Sequence, residues 1–197
     1  STAAVYGHPE QDLIDESHPT KPINPYGKSK LMVEQMLEDY AIAYGLNSVR
    51  LRYFNAAGAD PSGMIGEAHE PETHLIPNIL KSVLSENTTD LKIFGNDYTT
   101  ADGTCVRDYI HINDICNAHL KAMEYLNTHK GTYAFNLGNG SGFSVLDVIK
   151  SAETITKQTI PYAIEERRAG DPPTLVADSS QAQQTLNWQA EFTNMDA

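Results

Sequence analysis

Apolar residues recur at helical spacing between residues 26 and 44. The positions that share this face are Leu31, Met32, Met36, Leu37, Tyr40 and Ala41. Asn24 before Pro25 is a helix start, because asparagine caps free N–H groups and proline in the first turn loses no hydrogen bond. Gly45 is a typical residue for the end of a helix, because glycine readily adopts the left-handed backbone conformation found there. The pattern therefore predicts a helix over 26–44.

Period-two alternation predicts strands, most clearly at residues 48–54. The expected strands are 48–54, 91–94, 106–112, 132–137 and 160–165. Helical spacing predicts further helices at 74–86, 113–127, 144–157 and 178–186. Asn113 with Asp114 is the expected cap of the second of these, and Ser144 with Asp147 resembles a capping box for the third. Strands that alternate with helices place the chain in the α/β class.

Two irregular segments suggest how the chain is organised. Residues 1–7 are small and then apolar, and we interpret them as the C-terminal end of a buried strand whose beginning is missing. The loop at 55–73 is too long for an ordinary connector, which suggests a function. Residues 1–73 are typical of the second half of a parallel sheet layer, and residues 74–197 of a smaller mixed α/β lobe.

The composition narrows the classes of partner. The 197 residues carry 14 Lys+Arg against 26 Asp+Glu, which gives a net charge of −12. This balance argues against nucleic acid or an anionic membrane as a partner, because phosphates need a basic surface. Cys105 and Cys116 form no CxxC pair, and no apolar run approaches the length of a membrane span. We expect a reduced, cytoplasmic protein.

Tyr26 and Lys30 form the first candidate catalytic pair. Residues four apart share one face of a helix, so the Lys30 ammonium lies one turn from the phenol. A nearby cation favours the phenolate, which makes the tyrosine a general base for a hydroxyl proton. A solvated lysine on a surface helix explains the spacing alone equally well. The position at a helix start soon after a strand end favours catalysis, because α/β sheets present catalytic groups there.

Three motifs carry a family resemblance: Thr2-Ala3-Ala4-Val5-Tyr6-Gly7, Pro25-Tyr26-Gly27-Lys28-Ser29-Lys30 and Arg52-Tyr53-Phe54-Asn55-Ala56-Ala57-Gly58. They resemble the extended short-chain dehydrogenase/reductase superfamily. The segments 93–98 and 102–111 narrow the resemblance to the UDP-glucose 4-epimerase family, also called UDP-galactose 4-epimerase. It runs in one collinear order from Ser1 to about Trp188. The resemblance implies the second half of a Rossmann-like sheet layer plus a smaller substrate-binding lobe.

The resemblance implies interconversion of UDP-glucose and UDP-galactose with tightly bound NAD. Tyr26 would take the proton of the sugar 4-hydroxyl, Lys30 would also bind the nicotinamide ribose, and Thr2 would hydrogen-bond the reacting oxygen. Tyr53 and Phe54 would line the nicotinamide end of the pocket. Hydride would leave carbon 4 for NAD and return to the other face of a 4-keto intermediate. The resemblance assigns residues 1–73 to the NAD-binding domain and residues 74–197 mainly to the UDP-sugar-binding lobe. It also implies a homodimer.

A second set of residues is implied to hold the UDP-sugar. Guanidinium groups suit diphosphate oxygens, and Arg107 and Arg168 match the family's pyrophosphate arginines. Asp171 is expected on the uridine ribose. The other implied substrate-binding positions are Thr2, Asn55, His74, Leu75, Lys92, Ile93, Phe94 and Leu175. Arg50 and Arg52 share one strand face, and we interpret them instead as structural ion-pair partners.

Some positions depart from the family pattern or separate its reactions. His74 stands where asparagine is common, which leaves its side-chain contact open. Leu175 is intermediate between the large aromatic and the small residue that relatives carry, so acceptance of N-acetylated sugars also stays open. Related 4,6-dehydratases have an Asp-Glu pair after the threonine. Ala3 and Ala4 here supply no proton-transfer group, so dehydration is not expected.

Two negative expectations complete the picture. The histidines show no HxxxH or HExxH spacing, so no metal site is expected, and His111 is expected to be packed or hydrogen-bonded. The chain shows no G-x-x-G-x-x-G after a strand, so it resembles a C-terminal part without the glycine-rich NAD-binding segment. The alternative to an enzyme is therefore a catalytically inactive fragment that binds UDP-sugar or mediates dimer contacts.

Overall fold

A computed structural model describes residues 1–84 and 91–196 of the chain. Its helices are α1 (Pro25–Tyr44), α2 (Leu75–Leu84), α3 (Ile112–Thr128), α4 (Val145–Thr156) and α5 (Ser180–Leu186). Its strands are β1 (Ser48–Tyr53), β2 (Asn55–Ala57), β3 (Lys92–Phe94), β4 (Val106–His111), β5 (Thr132–Leu137), β6 (Gly142–Ser144), β7 (Ala163–Glu165) and β8 (Thr174–Leu175). The alternation confirms the α/β class. Within these ranges, no helix combines the length and the apolar character needed to span a membrane.

The first layer is the parallel pair of β1 and β5. Its register runs from Ser48 opposite Thr132 to Tyr53 opposite Leu137. Helix α3 packs on β1 and helix α5 on β5, which covers the parallel pair with helices. The core of the layer includes Leu51, Ile115, Phe135, Leu137, Ala182 and Trp188. The sequence predicts a parallel layer within residues 1–73, but β5 brings residues 132–137 into this one.

The second layer is centred on β4 and is mixed. Strands β2 and β8 pair with β4 in parallel, and β6 pairs with it antiparallel. Strands β3 and β7 form a separate parallel pair. Their shared core includes Ile79, Leu91, Ile93, Tyr109, Val148, Ile149 and Ile160. This layer is mixed as expected, but it includes β2 from residues 1–73, so the division at residue 73 stays a prediction.

The local signals at helix ends predict α1 and α4 closely. The side chain of Asn24 accepts a hydrogen bond from the Gly27 N–H at 2.8 Å, and Gly45 ends α1 with a φ of 67°. Ser144 and Asp147 form the reciprocal capping box that starts α4. Lys157 is the left-handed residue after α4 rather than its last helical residue. These caps are confirmed because they depend only on residues close in sequence.

Several predicted boundaries are wrong for identifiable reasons. Thr2 makes only one parallel bridge, to Tyr53, and then caps a 3-10 turn at Ala3–Val5. The cap of α3 is not Asn113 but His111, whose ring Nδ1 accepts the Asn113 N–H at 3.1 Å. The expected loop at 55–73 opens with β2, which pairs with β4. Residues 85 and 86 of the predicted helix 74–86 lie outside the described residues.

Candidate active site

Tyr26 and Lys30 lie in the first turns of α1, as their spacing predicts. The Lys30 Nζ is 5.5 Å from the centroid of the Tyr26 ring. Tyr26 is 56% exposed, so its phenol is accessible from outside the fold. The helix holds both residues because Asn24 and Pro25 fix its start immediately before them. A phenol and an ammonium are thus presented together on one surface.

Gly27 brings this helix turn against the Thr2 segment. A Cβ atom on Gly27 would lie only 2.3 Å from the carbonyl oxygen of Ala4 and 2.9 Å from Cβ of Pro22. Only a residue without a side chain permits this approach. The sequence interpretation passed over Gly27, although a glycine inside a first helical turn is a signal for close packing. The contact puts Tyr26 beside the segment that carries Thr2, which is itself buried.

Tyr53 joins the same group through β1. Thr2 is bridged to Tyr53, and the Tyr53 hydroxyl lies 3.3 Å from Nε2 of His119. Burial raises the pKa of Tyr53, and the neighbouring phenol of Tyr26 acts in the same direction. Thr2, Tyr26, Lys30 and Tyr53 are therefore brought together. Phe54 is 8% exposed, and its ring packs in the core with Val5 and Ile14.

Strand register connects this group to the predicted UDP-binding residues. Asn55 follows Tyr53 by two positions and pairs with Tyr109 of β4. Two residues before Tyr109, Arg107 pairs with Leu175 of β8. The carboxyl end of β1 thus continues, through β2, into the edge of the mixed sheet.

The guanidinium of Arg107 is fixed by backbone carbonyls. Its Nη1 donates to the carbonyl oxygens of Val106 at 2.8 Å and Pro172 at 2.9 Å. Its Nη2 lies 3.6 Å from Oδ1 of Asp171. Arg168 lies over the ring of Phe94, with its Cζ 3.9 Å from the centroid. Each arginine therefore keeps its cationic group beside another predicted site residue.

Cys105 is a half-buried residue two positions before Arg107, and the sequence pattern does not single it out. Burial raises the pKa of the Cys105 thiol, the Arg107 charge opposes this rise, Asp171 adds to it, and Arg168 opposes it. All three charged groups are thus near one thiol. A cysteine without a spaced partner carries no pattern that would identify it in the sequence.

Tyr98 is a second residue that the sequence interpretation missed. It is 5% exposed, and its hydroxyl has no hydrogen-bond partner among residues 1–84 and 91–196. Cζ of Arg167 lies 4.3 Å from the centroid of the ring. Burial raises the pKa of Tyr98, and the neighbouring Cys105 and Asp171 add to the rise. A buried hydroxyl without a hydrogen-bond partner is uncommon in folded proteins, so Tyr98 marks an unusual position beside Arg167.

The β3 residues are divided between surface and core. Lys92 is exposed, and its Nζ is 3.0 Å from Oε1 of Glu165. Ile93 is 2% exposed, so its side chain belongs to the core. Phe94 is half-buried beneath Arg168. Of these three predicted contacts, Lys92 and Phe94 have side chains that reach the surface. Ile93 could contact a ligand only through its backbone.

Leu75 begins α2, and His74 directly precedes it. Leu75 packs against the second core, and Nδ1 of the exposed His74 lies 3.0 Å from Oε1 of Glu72. The described residues bring His74 to a cluster of acidic and imidazole side chains rather than to Arg107 or Asp171.

The residues interpreted as structural have that role. Arg52 and Arg50 form ion pairs with Glu34 and Glu38 respectively, which confirms that interpretation. His111 is 8% exposed and stacks on Phe192 with centroids 4.1 Å apart, so it is packed as expected. A cavity of about 210 Å³ next to β1 and α3 contains only one predicted site residue, Tyr53.

Comparison with known proteins supports the resemblance seen in the motifs. Residues 1–196 match the family described as GDP-mannose 4,6 dehydratase. The UDP-glucose 4-epimerase of Halalkalibacterium halodurans is 51% identical over 196 residues, which are 100% of this chain and 58% of that protein. The chain thus spans a little over half the length of the curated relatives it matches.

Solved structures agree with this assignment. The UDP-glucose 4-epimerase of Brucella ovis in complex with NAD matches with a TM-score of 0.94 and 46% identity, over 100% of this chain and 60% of that one. The enzyme of Bifidobacterium longum in complex with NAD+ and UDP matches with a TM-score of 0.93 and 42% identity, over 100% and 58%. The likeness to UDP-glucose 4-epimerases is therefore confirmed along the whole chain.

Proposed function

Because this chain belongs to the GDP-mannose 4,6 dehydratase family and is similar along its length to UDP-glucose 4-epimerases, we propose that it carries the catalytic tyrosine and the UDP-sugar-binding lobe of an NAD-dependent UDP-glucose 4-epimerase. The observation that carries the proposal is the contact of α1 with the Thr2 segment at Gly27, which groups Thr2, Tyr26 and Lys30. The reaction is the interconversion of UDP-glucose and UDP-galactose in galactose metabolism. Residues 1–73 belong to the NAD-binding domain and residues 74–197 mainly to the UDP-sugar lobe.

The residues around Tyr26 fit the nicotinamide end of NAD. An exposed phenol and an ammonium within one helical turn are donors suited to ribose hydroxyl groups. When bound, NAD would supply hydride acceptance from carbon 4 of the sugar and hydride return to the other face. Lys30 would bind the nicotinamide ribose, and Tyr53 would line this end of the pocket. Phe54 would shape the pocket from the core, where it fixes the end of β1.

Tyr26 moves the proton in this proposal. As a general base, its phenolate would take the proton of the sugar 4-hydroxyl, and the phenol would return it in the reverse step. The Lys30 ammonium lies on the same side of the helix, 5.5 Å from the centroid of the Tyr26 ring. Thr2 would hydrogen-bond the same sugar oxygen and so hold it at Tyr26. Each of these roles belongs to a residue of α1 or of the Thr2 segment.

A second set of residues, which includes two arginines, would hold the UDP moiety. Arg107 and Arg168 would bind the two phosphates, and Asp171 the uridine ribose. The carbonyl bonds that fix Arg107 support this role, because a positioned guanidinium loses less entropy when it binds phosphate. Asn55, His74, Leu75, Lys92, Ile93, Phe94 and Leu175 complete the proposed substrate contacts. Leu175 would lie beside the sugar and set the room for a substituent on it.

Epimerisation is favoured over dehydration by the residues that follow Thr2. Elimination of water needs an additional acid and base beside the oxidised sugar. Ala3 is buried in the core and Ala4 is a half-buried alanine, and neither side chain can transfer a proton. The family description alone would suggest a dehydratase, and this local chemistry supports the epimerase instead.

Tyr26→Phe tests the catalytic assignment. Conversion of UDP-galactose to UDP-glucose would be measured on the purified protein with NAD added. Loss of a general base costs about 100- to 10 000-fold in rate, and we expect a loss of this order with UDP affinity nearly unchanged. The matched control is Tyr40→Phe, which removes the hydroxyl of a half-exposed tyrosine on the same helix. Normal turnover by Tyr26→Phe would contradict the role of Tyr26.

Calorimetric titration with UDP tests the binding assignment separately. Arg168→Ala should weaken UDP binding at least tenfold, because it removes a charge-assisted phosphate contact. Lys121→Ala removes the same charge from α3, where Lys121 is paired with Glu124, and should leave UDP affinity unchanged. UDP binding that depends on Arg168 without any turnover would favour the alternative, a UDP-sugar-binding or dimerisation fragment.

We also propose a cytoplasmic homodimer without nucleic-acid or membrane partners. The net charge of −12 supports the exclusion of nucleic-acid and membrane partners. The free thiols of Cys105 and Cys116 support a reducing compartment. Helix α1 supports the dimer with exposed apolar residues at Met32, Val33, Met36, Tyr40 and Tyr44. Met36→Asp should yield monomers in light scattering. Leu84→Asp, an exposed apolar residue on α2, is the control and should not.

A further inference from the structure

Four side chains of the long loop before α2 converge on one point. They are Glu67, His69, Glu72 and His74, and one nitrogen or oxygen atom of each lies within 4.8 Å of the other three. Of these four residues, only His74 is among the substrate contacts proposed above. The two histidines have an H-x-x-x-x-H spacing, which is not one of the standard metal motifs. Only the folded loop brings their side chains together.

These atoms lie 2.5–4.0 Å apart, a range that includes the spacing of donors around one small cation. Nδ1 of His74 lies 3.0 Å from Oε1 of Glu67 and 3.0 Å from Oε1 of Glu72. Nδ1 of His69 lies 2.5 Å from the same Glu67 oxygen and 4.0 Å from Oε2 of Glu72. Tetrahedral zinc with bonds of about 2.0–2.1 Å places its ligand atoms about 3.3 Å apart. The observed values lie on both sides of that distance.

One of the carboxylates is already positioned without a metal. The Glu72 side chain is 4% exposed, and its Oε1 accepts the N–H groups of Thr73 at 2.7 Å and His74 at 2.8 Å. Its Oε2 makes none of these bonds and is the oxygen that faces His69.

The other three side chains are open to solvent, which gives a cation access. The exposed fractions of the side chains are 44% for Glu67, 56% for His69 and 59% for His74. Two carboxylates would neutralise a divalent charge, and two imidazoles favour a borderline transition metal over magnesium or calcium, which prefer oxygen donors. The donor set and the spacing therefore point to the same ion.

We propose that Glu67, His69, Glu72 and His74 form a binding site for one Zn²⁺ ion, which ties the loop at residues 67–74 to the start of α2. This site shares His74 with the proposed substrate contacts, and its other three ligands take no part in the proposed epimerase chemistry. It differs from the expectation, based on histidine spacing, that the chain has no metal site. The competing explanation is a cluster of ion pairs between protonated histidines and the two glutamates, which would bind no metal.

Calorimetric titration of the EDTA-treated protein with ZnCl₂ tests the site. We expect one equivalent to bind, and we expect MgCl₂ at the same concentration to give no binding. His69→Ala and Glu67→Gln should each weaken Zn²⁺ binding at least tenfold. His129→Ala is the matched control, because His129 stacks on Tyr125 away from the loop. Circular dichroism would verify that each variant is folded.

A spectroscopic measurement makes the geometry testable. Co²⁺ added in place of Zn²⁺ should give the intense visible absorption of a tetrahedral complex, and His69→Ala should remove it. No binding of Zn²⁺ would overturn the proposal. Equal losses in His129→Ala and His69→Ala, or wild-type affinity in His69→Ala, would show adventitious surface binding and would also overturn it.

Discussion

The guanidinium of Arg52 forms a two-point ion pair with the carboxylate of Glu34. Nε lies 2.9 Å from Oε1 and Nη2 lies 2.5 Å from Oε2. The side chains are 7% and 3% exposed, so the pair is almost fully buried between β1 and α1. Nη1 of Arg52 also donates to the hydroxyl of Tyr6 at 2.9 Å. The pair fixes the helix that carries Tyr26 and Lys30 against the strand that ends at Tyr53.

Glu34→Gln should destabilise the protein strongly. Removal of one charge from a buried pair leaves the other charge unpaired, which costs about 3 kcal/mol or more in the free energy of unfolding. The matched control is Glu38→Gln, because Glu38 pairs with Arg50 from a half-exposed position and should cost less than about 1 kcal/mol. Urea denaturation measures both. Equal effects of the two substitutions would contradict a dominant role for the buried pair.

The same pair predicts a pH dependence. Burial alone would raise the pKa of Glu34, but the hydrogen bonds from Arg52 and Ser1 outweigh it and hold the pKa below its usual value. A lowered pKa in the folded state contributes stability that is complete above the unfolded pKa of about 4.3 and is lost as the pH falls through the folded value. The difference in unfolding free energy between wild type and Glu34→Gln should therefore be constant near neutral pH and shrink below about pH 4. A difference that stays constant from pH 7 to pH 3 would contradict this reasoning.

Gly27→Ala should separate the proposed catalytic residues. The new methyl group would lie 2.3 Å from the Ala4 carbonyl oxygen, so the backbone must move, at a cost of about 1–3 kcal/mol in unfolding free energy. Gly66→Ala is the control, since a Cβ atom there meets no other atom within 4 Å. Thermal unfolding should show a lower midpoint for the first variant only. An unchanged midpoint would mean that α1 does not depend on this contact.

Tyr98→Phe should stabilise the protein in the absence of ligand. The substitution removes a buried hydroxyl that has no partner among the described residues, and such a group costs about 1–3 kcal/mol. Tyr6→Phe is the opposite case, because the Tyr6 hydroxyl donates to Oδ1 of Asn136 at 2.6 Å and accepts from Arg52. We expect urea midpoints above wild type for the first variant and below it for the second. A lower midpoint for Tyr98→Phe would show that the hydroxyl has a partner in solution.

Helix α1 and strands β1 and β5 could be predicted from the sequence, because their signals are local. Asn24, Pro25 and Gly45 act on neighbouring backbone groups, and the alternation of residues 48–53 follows from the pleat of a single strand. Strands β2, β6 and β8 could not be predicted this way. They contain two or three residues each, and they are strands only because β4 supplies their hydrogen-bond partners.

The candidate site shows the same division between local and long-range causes. By itself, the sequence determined the one-turn spacing of Tyr26 and Lys30, the motifs that resemble a family, and the scarcity of arginines that made Arg107 and Arg168 stand out. Only the tertiary structure decided that Gly27 meets Ala4, that Cys105 lies among charged groups, and that two histidines share a glutamate oxygen. Helix periodicity acts over one turn, whereas packing contacts and electrostatic fields join residues that the sequence pattern does not relate.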